Sequence, residues 1–348
     1  MECLQGHWYV AAFAHEVTTQ PIMRLLFDQP VLLYRTEHGE AVALSDACPH
    51  RNAPLHLGRV MGDQIACPYH GLRFEPSGLC VHNPNFNDPA PNVRARGYPL
   101  IERDRMCWIW LHGAEPPAPE RIPDFSRISG PNVRPVDGYL KIAAREPLIS
   151  DNLLDLSHTE FLHPYLANAG FNTRLRQSVR AEENTVYSLY AIDDEPMTPL
   201  LAQLWDKPAI ARADMRFHMR WDPPSCLLLE IGATPVGAPP SDGVTAHVSH
   251  LLTPETGSTT HYFWTFARDS RRDDQPFDAH LQASISTAFM TEDAPVIEWQ
   301  ERYEQLSTLP PVPRQLLRGD AGGARARRVV ELLRSAVSEQ PAPHTDRR

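Results

Sequence analysis

The sequence predicts an α+β chain of two units. An all-β unit at the N-terminus is followed by a larger one in which a long helix packs on an antiparallel sheet. Three features carry that reading. Residues 8–112 consist of short apolar runs of strand length, punctuated by Gly and Pro. A Pro-rich stretch comes next. Beyond it, five strand-like runs stand together ahead of a long helical segment, the pattern of a sheet with a helix layered on it.

In the first unit, residues 1–113, "VLLYR" and "AVALSD" flank the polar turn "TEHGE", and "MCWIWLHG" is a further strand of similar length. Residues 114–137, opening "AEPPAPERIPDFSRISGPNVRP", have the composition of a linker. The second unit, residues 138–340, begins with a helical stretch from about Ser150. Its strands are "TVYSLYAI", "DMRFHMRW", "CLLLEIG", "AHVSHLLT" and "THYFWTFAR". Its long helix is "DAHLQASISTAFMTEDAPVIEWQERYEQL", which Pro295 is expected to kink or divide. The polar, Pro-bearing end, residues 341–348, reads as a disordered tail.

Apolar residues make up 42% and charged residues 22%, an ordinary globular composition. A net charge of −10 gives no basic face for nucleic acid or an anionic membrane. The start, "MECLQGHWYV", lacks the basic patch and apolar core of a secretion signal, and no apolar run approaches the roughly 18 residues a bilayer span needs. A soluble cytoplasmic protein is expected. In that reducing compartment, cysteines are by default free thiols or metal ligands. Cys3, Cys80, Cys107 and Cys226 lack a matching His or Cys pattern and read as structural thiols.

Cys48 and Cys67 differ. In "CPHRNAPLHLGRVMGDQIACPYHG", one residue separates Cys48 from His50 and two separate Cys67 from His70, with sixteen residues between the pairs. Two thiolates and two imidazoles suit tetrahedral zinc, although zinc patterns usually group Cys with Cys and His with His. They also suit a Rieske [2Fe–2S] centre, in which two Cys hold one iron and two His the other. One Cys and one His on each of two loops is the distribution a two-iron rhomb between loops requires. His56 and His82 fall off the pattern and read as surface or packing residues.

A second group lies in "SDNLLDLSHTEFLHPYLANAG". His158 and His163 are five apart, about 140° around a regular helix, too wide to share one ion comfortably. Pro164 pushes His163 out of helical geometry, so that the chain can turn it inward. Asp155, three residues before His158, falls on the same helix face as a supporting partner. Two His and a carboxylate form the facial triad of non-haem Fe(II) oxygenases. Local spacing does not identify the carboxylate.

These residues resemble the Rieske non-haem iron aromatic oxygenases, specifically the vanillate and dicamba O-demethylase oxygenase components. The resemblance lies in "CPHR" and "CPYHG", in the N-x-x-D-x-x-H-x-x-x-x-H pattern of Asn152, Asp155, His158 and His163, and in "WYVAA", "MRWDPP" and "HLLTPETGSTTHYFW". It spans nearly the whole chain. It implies a Rieske domain holding [2Fe–2S] through Cys48, His50, Cys67 and His70, then a helix-grip (START-like) catalytic domain. By the match of "FMTEDAPVIEWQ" to the late helix, Asp293 completes the mononuclear Fe(II) site, with Glu292 as runner-up. Gly71 matches a position where backbone N–H groups approach the cluster.

The resemblance further implies a head-to-tail homotrimer. In it, Asp155 bridges His70 of one subunit and His158 of the next. It implies O₂ as co-substrate, and electrons from NAD(P)H through a separate flavin and iron–sulfur reductase, or a ferredoxin and reductase. The chain carries no G-x-G-x-x-G segment of its own.

On the strand "AHVSHLLT", Val248, His250 and Leu252 share a face, opposite His247 and Ser249. His250 matches the histidine that contacts the substrate carboxylate in dicamba-type relatives. Ser284 stands where those relatives carry an indole, and the stretch around Ile231 lacks their amide contact. Phe289, Phe217 and Trp264 are candidate aromatic walls. The expected reaction is O-demethylation of a methoxylated aromatic acid to a phenol and formaldehyde. Its rivals on the same machinery are ring or methyl hydroxylation and N-demethylation. A pure electron carrier would leave the second His pair and Asp293 unused, and a zinc-stabilised binding protein would be colourless.

Overall fold

The structure, a computed structural model, describes residues 4–84, 92–111, 116, 118–306 and 315–338. The tail expected at 341–348 lies outside them, as does Cys3.

The N-terminal unit is built from three small antiparallel sheets. The Gln29–Arg35 and Ala41–Ser45 strands pair as a hairpin in the register Val31↔Ser45 to Arg35↔Ala41, around the polar turn read from the sequence. The Met106–Ile109 strand pairs on both sides, with Tyr9–Phe13 and Leu100–Arg103. The smallest sheet, Arg59–Met61, Gln64–Ala66, Arg73–Phe74 and Cys80–His82, carries the loop of the second Cys–His pair between its middle strands.

The segment expected to be a linker packs rather than spans. Ile122, Phe125 and Ile128 are buried in a cluster with Trp8, Trp108 and Phe263, which joins the two units. A strand, Arg134–Ile142, already starts inside it. Pro135 and Gly138 broke the apolar alternation there. The strand lies at the edge of its sheet, where a proline removes no essential hydrogen bond.

The second unit is a seven-stranded antiparallel sheet. Its order across is Arg134–Ile142, Thr259–Arg268, Val244–Thr256, Cys226–Pro235, Ala213–Asp222, Thr185–Glu195 and Arg176–Glu182. The last of these is the other edge. Its sequence, "RQSVRAE", alternates exposed and half-buried residues and has too little apolar content to stand out as a strand. The Thr259–Arg268 strand is buried almost end to end because both faces of the sheet are covered there. Tyr262, Trp264 and Phe266 face the main core, whereas Phe263 and Ala267 pack on the N-terminal unit. Thr253 Oγ1 donates to the Val10 carbonyl (2.7 Å) and the Phe27 N–H to that of Pro254 (3.0 Å), fixing one unit to the other.

The long helical segment runs on through Pro295. An α-helix, Gln275–Thr287, passes into a π-helical stretch, Ala288–Asp293, and on into a second α-helix, Ala294–Leu306. The wider π turn just ahead of Pro295, in which the Ala294 N–H bonds the Phe289 carbonyl, takes up the change that a break would otherwise make. A final helix, Ala321–Ser338, packs against the Glu146–Leu154 helix and the sheet. Its Gly322–Gly323 pair lowers helix propensity, which hid it in the sequence. Among the described residues no helix is long and apolar enough to cross a membrane.

Candidate active site

The two Cys–His loops are built alike. The Cys48 N–H donates to the Ala53 carbonyl (2.9 Å) and the Asn52 N–H to that of Cys48 (2.8 Å). In the other loop the Cys67 N–H donates to Leu72 (2.8 Å) and the Gly71 N–H to Cys67 (3.1 Å). Each loop turns on a left-handed residue four positions after its cysteine, Asn52 (φ 55°) and Gly71 (φ 73°). Gly and Asn are the residues that accept this angle most readily, and the Gly71 N–H is used within the turn.

Both thiols are buried and the imidazoles lie outside them, His50 exposed and His70 half-buried, their ring centroids 4.6 Å apart. Burial pushes the Cys48 thiol up to about 11, while the backbone N–H groups of His50 and Arg51 pull it back. Partial burial, with His50 and Arg51 alongside, holds His70 below its usual value and so in the neutral form a ligand needs. His70 Nδ1 is buried with no hydrogen-bond partner among the described residues. Two adjacent thiols, two imidazoles and an orphaned ring nitrogen fit a group that takes two sulfur and two nitrogen ligands.

The Glu146–Leu154 helix ends just before Asp155, whose backbone is extended (φ −110°, ψ 95°). Asp155 therefore does not share a helix face with His158, as the spacing suggested. Its backbone carbonyl, not its carboxylate, meets His158 Nδ1 (2.5 Å), and its carboxylate accepts from the Ser157 N–H (2.8 Å). His158 closes a short 3₁₀ turn, whereas His163 leaves the next helical turn at φ −123°, ψ 79°, as its following proline demands. The break between the two turns brings together rings that one regular helix would hold apart. Their centroids are 5.1 Å apart.

Asp293 meets both. Its Oδ1 lies 3.5 Å from His158 Nε2 and 3.2 Å from His163 Nε2, and it accepts from Asn152 Nδ2 (3.0 Å). One ligand atom from each of the three side chains lies within 4.8 Å of the others. Bonds of about 2.1 Å at right angles set ligand atoms about 3 Å apart, so the group fits a facial triad with little movement. Glu292 holds the same imidazole from behind, with Oε2 2.6 Å from His163 Nδ1. The π turn lets successive carboxylates reach the two nitrogens of one ring. Burial lowers His163, but Asp293 and Glu292 more than offset it and leave it raised. Burial dominates at His158, which is lowered.

The triad opens on a largely apolar cavity. Phe217, Ile231, Val248 and Phe266 line it from the sheet, and Ile285 and Phe289 from the late helix. Ser284 is not among the lining residues. One step along the helix turns a side chain by about 100°, so Ile285 faces the cavity and Ser284 lies beside Tyr165. Trp264 packs behind Phe289.

His250 lines the cavity and is 2% exposed. Burial pushes it down to about 3, so it is neutral. Its Nδ1 lies 2.6 Å from the Tyr262 hydroxyl, which has no other partner among the described residues. Both groups are satisfied when Tyr262 donates to Nδ1, and this assigns the ring proton to Nε2. His250 Nε2 is buried without a partner among the described residues. Tyr262's part was not legible locally, because it depends on two strands pairing across the sheet.

The comparisons with known proteins bear on the whole chain. Residues 7–98 match the Rieske [2Fe-2S] domain, and residues 142–336 match the vanillate O-demethylase oxygenase C-terminal domain. The chain is a Rieske oxygenase of the vanillate O-demethylase family. The sequence resemblance is thereby borne out, and with it a [2Fe–2S] cluster and a mononuclear iron as the cofactors. The dicamba O-demethylase oxygenase component of Stenotrophomonas maltophilia is 34% identical to this Rieske oxygenase over 96% of this chain and 98% of that one. An iron–sulfur subunit of a toluene-4-sulfonate monooxygenase system from Comamonas testosteroni is 33% identical over 98% and 99%. The crystal structure of dicamba monooxygenase bound to dicamba superposes with a TM-score of 0.90 at 32% identity, covering 98% of this chain and all of that one.

Proposed function

We propose that this protein is the oxygenase component of a Rieske monooxygenase that O-demethylates a methoxylated aromatic acid. The observation that carries this is a carboxylate–bis-imidazole cluster opening into an apolar cavity lined by His250, whose buried Nε2 has no partner among the described residues. The cluster would be held by Cys48, His50, Cys67 and His70 and the iron by His158, His163 and Asp293; together they supply single electrons and O₂ activation. In the net reaction two electrons, two protons and O₂ convert the methoxy carbon to a hemiacetal and water, and the hemiacetal falls apart to a phenol and formaldehyde.

The protein's own groups set this up. Asn152 and Glu292 orient Asp293 and His163. The apolar walls exclude water and hold the ring flat. The Nε2–H of His250 donates to the substrate carboxylate. Electrons come from NAD(P)H through a separate reductase, in the cytoplasm. The domains divide as 1–113, a connecting segment 114–133 and a catalytic unit that begins with the Arg134–Ile142 strand.

Three chains close head to tail, and Asp155 links the partner's His70 to His158. In support, His50 and Tyr69 are exposed at the first site, and Asp155 and His158 line an open groove with Leu162, Val296 and Tyr303, so each site offers a free face. A single-turnover assay tests the reading. Iron-loaded, chemically reduced protein is mixed with O₂ and a panel of methoxy-, methyl- and chloro-substituted benzoates and phenols. Formaldehyde matched by a demethylated phenol is expected. Hydroxylated product without formaldehyde moves the function to a ring or methyl hydroxylase, and formaldehyde with a demethylated amine moves it to an N-demethylase.

A further inference from the structure

The two Cys–His loops are alike in their turns but not in how their ends are held. The second is spanned by strands, since Ile65↔Phe74 and Ala66↔Arg73 pair across its base. The first leaves the Ala41–Ser45 strand at Ser45 and runs into a 3₁₀ turn at Leu55–Leu57. Between those ends lies an isolated backbone bridge, Ala47 with Pro54. A side chain supplies the rest of the closure.

That side chain is Asp46, and His56 is its partner. The Leu55 N–H donates to the Asp46 carbonyl (2.7 Å) and the Asp46 N–H to the Pro30 carbonyl (3.0 Å). The carboxylate takes both donors of His56. Oδ1 accepts the backbone N–H (2.7 Å), and Oδ2 lies 2.6 Å from Nδ1. A carboxylate only accepts, so the ring proton sits on Nδ1. Asp46 is 4% exposed, and hydrogen bonds to a charge sheltered from water are the strong kind. The turn that carries His56 also lies flush on the base of the other loop. A Cβ at Gly58 would run into the Ala66 carbonyl, and Arg59 pairs with Ala66, the residue before Cys67. The Asp46–His56 pair thus ties the strand entering the first loop to the turn leaving it, and that turn rests on the strand entering the second.

We propose that Asp46 and His56 are positioning residues for the cluster. Their clasp fixes the spacing of the two ligand loops, and with it the places of Cys48 and His50 relative to Cys67 and His70. The inference rests on the cluster that the family assignment gives, and is independent of which substrate the second site oxidises. A two-iron rhomb that takes one sulfur and one nitrogen from each loop tolerates little drift between them. Hydrogen bonding and solvent access at the sulfurs set the potential of such clusters. An unclasped first loop would hold the cluster less firmly and in a spread of environments. His56, which falls off the ligand pattern in the sequence, acts on the cluster through the loop that its ring helps to close.

The test uses the full-length holoenzyme. Visible absorption under EDTA challenge gives the rate of cluster loss, EPR of the reduced cluster its line width, and redox titration its midpoint potential. His56→Ala should lose the cluster about 10-fold faster or more, the weight of a hydrogen bond to a charged group. Its EPR signal should broaden and its midpoint potential move. His56→Asn, whose Nδ2 takes the place of the ring Nδ1, should restore all three. His38→Ala is the control. His38 Nδ1 and Asp63 Oδ1 form the same kind of pair (2.7 Å) in the same unit without closing a ligand loop, so its removal should leave all three readouts alone. A His56→Ala protein with wild-type cluster loss, line width and potential overturns the proposal. Equal effects in His38→Ala overturn it as well, since they would report general loosening of the unit. So does a His56→Asn protein that behaves like His56→Ala. If His56→Ala takes up no cluster at all, His56→Asn decides: a cluster lost at the wild-type rate supports the clasp, and an empty site overturns it.

Discussion

Glu292 and Asp293 are neighbours in sequence, yet their removal should have very different effects on the mononuclear iron. Asp293 Oδ1 faces both imidazole Nε2 atoms, at 3.5 and 3.2 Å, and brings the group's negative charge. Glu292 touches only the far nitrogen of His163, at 2.6 Å. Losing an orienting partner of that kind lowers metal affinity by about 10–100-fold, or about 1.4–2.7 kcal/mol. Glu292→Gln keeps a neutral acceptor for His163 and should sit near the low end of that range, with Glu292→Ala near the high end. Asp293→Ala removes a ligand outright and should exceed the range, leaving the chain short of iron after gel filtration. The assay is anaerobic Fe(II) titration with iron per chain. The cluster is followed separately by visible absorption and acid-labile sulfide, which none of the three changes should alter. A Glu292 variant that loses more iron than Asp293→Ala would refute the reasoning and move the ligand by one position.

Cys48→Ala or His70→Ala should abolish the cluster's visible absorption while the second unit stays folded by circular dichroism; an unchanged spectrum would remove these residues from the first site. Asp155→Asn should keep both metals yet nearly eliminate turnover. Gly319→Ala should act the same way more mildly, because a Cβ there would sit 2.5 Å from Asp155 Oδ1 and displace the carboxylate; normal kcat in both would rule out a bridging role. His250 supplies a pH test. Folded, it is held at about 3, and unfolded it titrates near 6.5, so below pH 6.5 the unfolded state binds the extra proton. Its contribution is complete above pH 6.5 and is lost at about 1.4 kcal/mol per pH unit as pH falls towards 3. His250→Gln should flatten that slope in urea melts between pH 6.5 and 4.5, and an unaltered slope would contradict its burial as a neutral ring.

Local chemistry was enough for much of the site. The two Cys–His loops were legible because a cluster held between turns needs its ligands close in sequence, whereas the left-handed turns at Asn52 and Gly71 emerged only in the structure. The displacement of His163 from helical geometry followed from Pro164 alone. Central strands such as Val244–Thr256 declared themselves by apolar alternation. The edge strands Arg134–Ile142 and Arg176–Glu182 did not, since an edge tolerates Pro, Gly and polar residues that a central strand rejects. Other features belong to no single stretch. The π turn that aims Glu292 and Asp293 at one imidazole is a backbone choice made against His163, well over a hundred residues away. Ile285 rather than Ser284 faces the cavity because of the rotation at which the late helix lies on the sheet. The Nε2 proton of His250 is set by Tyr262 on the neighbouring strand. The sequence by itself determined which chemistry the chain carries, because ligand types and their spacing are local. Only the tertiary structure decided which atoms are left over to meet a substrate, because a leftover atom is defined by every partner that packing has denied it.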